Sequence, residues 1–326
     1  MPPAPFPTLP EYDIHRRIAR GGMGEVFLAR VLEGGLRDTD VILKRLYPRF
    51  AQDRAHVDLF VAEARLGERI VHPNIAQTYE LLRRGEDFFI VQEYVDGCAL
   101  SELMQANGVG APLAARVAAF SDLLHALAHL QGGVIRSPEV RAIIHRDISP
   151  GNLVVRRDGV AKLVDLGIAE IEGKPDHQRS GALRGTAAYM SPEQARGRVL
   201  DRRSDLFSAG VMLWELLAGR PLYAQANDFE TIRMICEEDA PPIGAITPRA
   251  AQFEPMLTRA LARDRTDRFD SAAEMLAAFQ AACGLAEVEP DREALAEAVL
   301  RKVAEHASTS HTSGPDSAAS TTPGVA

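Results

Sequence analysis

The stretch Ile143-Ile144-His145-Arg146-Asp147-Ile148-Ser149-Pro150-Gly151-Asn152-Leu153-Val154-Val155 decides the reading of this chain. An apolar pair leads into a polar loop, an asparagine stands five residues after Asp147, and a β-branched run leads away. Shortly afterwards a second apolar run over Lys162 to Val164 ends in Asp165-Leu166-Gly167. Short apolar runs punctuated by polar loops read as strand, loop, strand, loop. That order brings Asp147, Asn152 and Asp165 near one another. Two oxygen ligands beside a carboxylate base are what magnesium-assisted phosphoryl transfer requires.

The pattern matches H-R-D-L-x-x-x-N followed by D-F-G. On these residues the chain resembles the eukaryotic-like serine/threonine protein kinases of bacteria. The resemblance implies an α+β, bilobal fold: a small antiparallel sheet lobe with one helix, and a large, mainly helical lobe. It implies ATP and Mg2+ as cofactors and a protein serine or threonine as acceptor. In this resemblance Asp147 is the general base, His145 packs beneath it, and Asn152 and Asp165 hold magnesium. Leu166 replaces the usual phenylalanine with another apolar side chain. Ser149 stands where serine/threonine kinases carry a lysine, and neither Ser149 nor Gly151 supplies the arginine that tyrosine kinases use there.

Upstream, Tyr12 to Arg30 reads as two strands around the turn Ile18-Ala19-Arg20-Gly21-Gly22-Met23-Gly24-Glu25-Val26. By itself a glycine turn is only a hairpin. By resemblance these residues form the lid over the ATP phosphates, with Ala19 in place of the first glycine. Val41-Ile42-Leu43-Lys44 matches V-A-I-K, and Lys44 is the expected partner of the α- and β-phosphates. A strand lysine can also simply reach for solvent, but only Lys44, Lys162, Lys174 and Lys302 are lysines in this arginine-rich chain. Ile42 narrows the adenine slot. Val57 to Ile70 shows helical spacing, and Glu63 on it is expected to pair with Lys44. Gly67, one turn later, replaces an apolar side chain and is expected to loosen the helix. Phe88 to Gly97 reads as a strand running into the hinge, where adenine meets the backbone of Glu93 and Val95. Gln92 occupies the gatekeeper position, where its amide bonds either adenine or a neighbour.

Downstream, Leu113 to Leu130 reads as a buried helix on which His125 and His129 are packed or partly exposed rather than metal-binding. Gln131 to Ala142 reads as an inserted surface loop. Gly185-Thr186-Ala187-Ala188-Tyr189-Met190-Ser191-Pro192-Glu193 resembles the end of an activation segment built to present a peptide. By resemblance Thr186 bonds Asp147, Ser180 is a candidate autophosphorylation site, Asp205 braces the catalytic loop, and Arg268 pairs with Glu193. Val211 to Leu217 is a buried helix with Trp214 in the core. Arg292 to Glu305 reads as an amphipathic helix through Leu295, Val299, Leu300 and Val303, docking on the large lobe or on a partner.

The organisation expected is a flexible lead-in (1–11), a small lobe (12–97), a large lobe (98–284), a C-terminal helix (285–306) and a disordered Ser/Thr-rich tail (307–326). The 326 residues carry 46% hydrophobic and 25% charged side chains, ordinary for a soluble globular chain. A net charge of −8 argues against general nucleic-acid binding. Cys98, Cys236 and Cys283 suit buried thiols in a reducing compartment rather than a disulfide framework. No window of eighteen uninterrupted apolar residues occurs and Met1 to Pro10 lacks signal-peptide character, so the expectation is a cytoplasmic protein without a membrane span. A pseudokinase, a binding module with little turnover, is the alternative that Ala19, Ile42, Gly67, Gln92 and Ser149 suggest.

Overall fold

The computed structural model describes residues 6–104, 111–132, 142–166, 170–171, 187–223 and 225–312. Thr186, Ser180 and most of the activation segment lie outside the described residues, as does most of the inserted loop after Gln131.

In the small lobe β1 (Tyr12–Arg20), β2 (Gly24–Val31) and β3 (Asp40–Leu46) are followed by a short α1 (Pro48–Ala51), α2 (Arg54–Gly67), β4 (Thr78–Arg84) and β5 (Asp87–Glu93). The strands form one antiparallel sheet in the order β1-β2-β3-β5-β4. Strand alternation sorts its two faces. Val41, Leu43, Phe89 and Val91 join Phe27, Ala29 and Val31 on one side. Leu46 and Ile90 pack with Phe60 and Ala64 of α2 on the other. Lys44, two residues before Leu46, therefore faces α2. The Asp53 carboxylate accepts from the Ala55 N–H and caps α2, so this helix starts a turn before Val57.

Gly67 does not leave the gap expected from the sequence. A Cβ there would lie 2.3 Å from Thr78 Oγ1 and 2.8 Å from Thr78 Cβ, so β4 already fills the space. Thr78 is buried and β-branched and has little room to yield. Gly67→Ala is expected to destabilise the fold by about 1–3 kcal/mol, an overpacking cost read as a lower denaturation midpoint.

The lead-in is also ordered from Phe6 onward. The Phe6 ring packs edge-on to Phe27 at 5.9 Å, and Leu9 is buried and bridges Tyr12. Proline excludes helix there, but it does not prevent the apolar side chains between prolines from covering the outer sheet.

The large lobe begins with β6 (Gly97–Ala99), α3 (Leu100–Leu103) and α4 (Leu113–Gln131), then β7 (Ile143–Ile144), β8 (Leu153–Arg156), β9 (Ala161–Leu163) and β10 (Glu170–Ile171). Strands β6, β8 and β9 form a small sheet and β7 pairs with β10. Gly97 is held against β8 so closely that a Cβ would meet the Val155 carbonyl oxygen at 1.8 Å. Helices α5 (Pro192–Ala195), α6 (Arg203–Ala218), α7 (Asp228–Glu237), α8 (Ile243–Ile246), α9 (Glu254–Ala260), α10 (Ala272–Leu285) and α11 (Arg292–Thr312) complete the lobe. One core runs through α4, α6 and α10, and Trp214 lies within it. Helix α4 is long and apolar enough to cross a bilayer, and most of that length is buried in this core.

Helix α11 docks on the large lobe, packing on α4, β6, α3 and β8. Leu295 and Val299 are fully buried and Val303 packs beside them. Leu300 is 47% exposed and does not belong to the buried stripe. The helix runs to Thr312, into the segment expected to be a tail; residues 313–326 lie outside the described residues. Cys98 and Cys283 are buried free thiols, but Cys236 is only half-buried. His72 and His129 stack at 4.6 Å, His125 donates to the Ser121 carbonyl, and no metal-binding cluster of His, Cys, Asp or Glu occurs among the described residues.

Candidate active site

The register of β3 aims Lys44 at α2, where its Nζ lies 3.1 Å from Glu63 Oε1. Lys44 also pairs with Asp165 Oδ1. The expected pairing with Glu63 is thus in place, Asp165 is a second partner that the sequence did not suggest, and the pair Lys44–Glu63 is only about one-sixth exposed.

The catalytic loop hangs from Asp205 at the start of α6. Its two carboxylate oxygens accept from the backbone N–H groups of His145 at 2.7 Å and Arg146 at 2.8 Å. Burial pushes the Asp205 carboxyl up to about 7, while those two N–H bonds favour its charged form. His145 is completely buried and accepts from the Asp147 N–H at Nδ1. Burial pushes its imidazole down to about 4, so it stays neutral at pH 7 and its lone pair remains available. Arg146 and Asp165 both adopt left-handed backbone, φ 69° and 64°. Such conformations cost about 1–3 kcal/mol in residues with a Cβ and persist where surrounding bonds fix them. The N–H to Asp205 does so for Arg146.

Asn152 Nδ2 donates to the Asp147 carbonyl at 2.8 Å and to Asp147 Oδ2 at 2.9 Å. Asp147 Oδ1 is buried and has no hydrogen-bond partner among the described residues. Asn152 thus orients the Asp147 carboxylate through one of its two oxygens. With Nδ2 committed, Asn152 offers its carbonyl oxygen, and Asp165 offers a carboxylate. These are hard oxygen donors of the type that magnesium prefers. The donor set fits that ion.

Strand β9 and the residue after it are tied to four different places. The Ala161 N–H donates to Asp122 of α4 at 2.8 Å. Lys162 pairs with Glu93 at 2.8 Å. Leu163 exchanges backbone bonds with Asn74 and Ala76, and the Val164 N–H donates to the Asn152 carbonyl. Asp165 follows directly. The Glu93 side chain also accepts from the Gln77 N–H, so its carboxylate is committed to holding the hinge. Val95 is buried beside it. Gln92 donates to Thr78 Oγ1 at 3.1 Å, so its amide bonds this neighbour.

The hairpin residues Ile18, Ala19, Arg20, Gly21, Gly22, Met23, Gly24, Glu25 and Val26 span the end of β1, the turn and the start of β2. The Gly21 N–H closes the turn onto the Gly24 carbonyl, and Met23 tucks against the cluster around Phe60. Gly24 lies so near β3 that a Cβ would meet the Arg45 carbonyl oxygen at 2.2 Å. Beyond the loop, Arg268 holds Glu193 with two bonds of 2.7 and 2.9 Å, and Ser204 donates to the same carboxylate. Gln194 donates to the Arg146 carbonyl, and Tyr189 donates to the buried Glu215. The expected role of Thr186 lies outside the described residues.

Sequence reasoning missed Thr78, Asp122 and the pairing of Lys162 with Glu93. Lys162 was accessible to the same argument that singled out Lys44, the rarity of lysine. Thr78 and Asp122 gave no signal without the fold.

Fold and site together define a two-lobed domain, with a lysine–glutamate pair above and an aspartate–asparagine loop below. The family model of the protein kinase domain matches residues 12–279, and the chain belongs to the protein kinase family, in its eukaryotic-like bacterial branch. It is 33% identical over 267 residues to the tyrosine-protein kinase MasK of Myxococcus xanthus, covering 80% of this chain and 41% of that protein. It is 31% identical over 272 residues to the serine/threonine-protein kinase PrkC of Bacillus subtilis, covering 83% of this chain and 40% of that protein. The chain thus spans about two-fifths of the length of these relatives. The kinase domain of Mycobacterium tuberculosis PknI superposes with a TM-score of 0.63 at 25% identity, covering 86% of this chain and all of that domain.

Proposed function

We propose that this chain transfers the γ-phosphate of ATP to serine or threonine hydroxyls of proteins, itself included, in the presence of Mg2+. The observation that carries the reading is Asp147, oriented by Asn152 through Oδ2 while Oδ1 has no hydrogen-bond partner among the described residues. Asp147 Oδ1 accepts the hydrogen of the attacking hydroxyl, and Asn152 keeps that oxygen aimed. Lys44, held by Glu63, presents its ammonium to the α- and β-phosphates, and the hairpin excludes water above them. Asn152 and Asp165 hold the magnesium ion, which when bound neutralises charge on the phosphates. Positioning and charge account for most of the rate in this chemistry, and Lys44, Glu63, Asp147, Asn152 and Asp165 stand together in the site to supply them. That favours an enzyme over a binding module. The reading places the domain in the cytoplasm, where ATP is supplied.

Ser149 leaves the acceptor side without its usual lysine, and one relative is named a tyrosine kinase. The acceptor residue must therefore be read directly. Purified wild type and Lys44→Met are incubated with labelled ATP and magnesium, and the phosphorylated amino acids are separated after acid hydrolysis. Label on serine or threonine in the wild type alone is expected. Label confined to tyrosine overturns the acceptor assignment, and no label in the wild type overturns the transfer.

A further inference from the structure

The family match ends at residue 279, but the packed fold continues through α11. Asp291 caps this helix by accepting from the Ala294 N–H, and its own N–H donates to the Ala114 carbonyl at the start of α4. Arg292 then reaches Asp122 with two nitrogens, Nη2 to Oδ1 at 2.9 Å and Nη1 to Oδ2 at 3.2 Å. The second of these oxygens is also the acceptor of the Ala161 N–H. Asp122 is only 6% exposed in its side chain, whereas Arg292 is 48% exposed. The turn between β8 and β9 is fitted to the same place: a Cβ on Gly159 would lie 2.2 Å from the Arg292 carbonyl oxygen. At the other end of α11, His306 lies 3.1 Å from Glu102, whose carboxylate accepts from the Ala99 N–H just after the hinge.

An exposed arginine pairing with an exposed acid adds little to stability. Here the acid is buried and shared, which changes the consequence of losing the arginine. Without it, Asp122 carries an unneutralised charge under the sheet, and that charge is relieved by turning toward water. That response weakens its grip on the Ala161 N–H, four residues before Asp165.

We infer that Arg292 is a positioning residue: through Asp122 it holds β9 in register, and so sets where Asp165 stands for the metal. The inference rests on reading Asp165 as a metal ligand. It makes α11, which lies beyond the family match, part of the catalytic unit.

The test uses the full chain and a fluorescent ATP analogue, with affinity measured without metal and at increasing Mg2+, beside thermal midpoints and amide exchange over residues 160–165. In Arg292→Ala the metal-free affinity is expected to stay unchanged. The gain in affinity conferred by magnesium is expected to fall about three- to tenfold, near the lower end of what outer-shell partners of metal ligands cost. Exchange of the Ala161 amide quickens. Arg292→Lys, which keeps the charge, restores most of the gain. Arg292→Gln, which keeps one donor, gives an intermediate loss and serves if the alanine variant does not fold. An unchanged magnesium gain in a folded variant overturns the inference, as does an equal fall in metal-free affinity. A wild type whose nucleotide affinity ignores magnesium overturns it too. If the wild type transfers no phosphate but these binding effects appear, the positioning role stands and the enzymatic reading falls.

Discussion

Asp147→Asn is expected to lower kcat by about 100- to 10,000-fold, the range that a positioned general base contributes. The fold should tolerate the change well. Asn152 Nδ2 needs one acceptor on the residue 147 side chain, and an asparagine can meet it with its single oxygen. That choice turns the amide NH2 toward the acceptor hydroxyl, at the place held by Oδ1, which has no partner among the described residues. A group that can only donate cannot take the hydroxyl hydrogen. Nucleotide affinity should stay the same, because Lys44, Glu63 and the hairpin are untouched. Single-turnover kinetics beside equilibrium ATP binding separate the two effects. A kcat near that of the wild type would remove Asp147 from the role of base.

Arg268→Ala is expected to cost about 3–5 kcal/mol of stability, because it strands a buried carboxylate. Arg268 is essentially inaccessible and Glu193 is 6% exposed. In the intact protein burial alone would raise the Glu193 carboxyl, but the two Arg268 bonds, its charge and the Ser204 hydroxyl outweigh it and hold the carboxyl below its usual range. A lowered carboxyl supplies stability above its unfolded value, near 4.5, that is lost as pH falls through the folded value. In the variant the balance reverses. Burial without the arginine raises the carboxyl, and protonation relieves the strain. The gap in stability between the two proteins should therefore be widest at neutral pH and narrow in acid. Urea melts from pH 7 to pH 4.5 check this; a gap independent of pH would mean that lost packing, not stranded charge, sets the cost.

The residues of the candidate site were legible because each belongs to a short motif whose spacing survives in the linear chain. Lys44, Glu63, Asp147, Asn152, Asp165, Asp205, Glu193 and Arg268 sit in the arrangement their motifs imply. What the sequence hid were compensations between distant positions. Gly67 reads as a missing side chain until Thr78 is seen occupying the space. Gln92 reads as bonding either adenine or a neighbour until the same threonine is seen to accept its N–H. Leu295, Val299 and Val303 recur at four-residue intervals and form the buried stripe of α11. Leu300 is apolar but lies about 100° around the helix from Val299, so composition suggested it where periodicity did not. The order of the lead-in was hidden for a similar reason. Proline settles local conformation and says nothing about whether Phe6 and Leu9 find a surface to cover.

The four ties of Ala161, Lys162, Leu163 and Val164 have a consequence for how substitutions combine. Changes at sites that share no partner usually add, whereas changes within one bonded network do not. These four consecutive residues link α4, the hinge, the loop after α2 and the catalytic loop. Variants at Asp122, Glu93 and Asn74, whose side chains meet the Ala161 N–H, Lys162 and the Ala161 carbonyl, touch no common region of the sequence, and singly each loosens a different attachment of one strand. In pairs the second loosening acts on a strand already freed by the first. Epistasis in this protein should therefore concentrate on residues far apart in sequence that meet at β9.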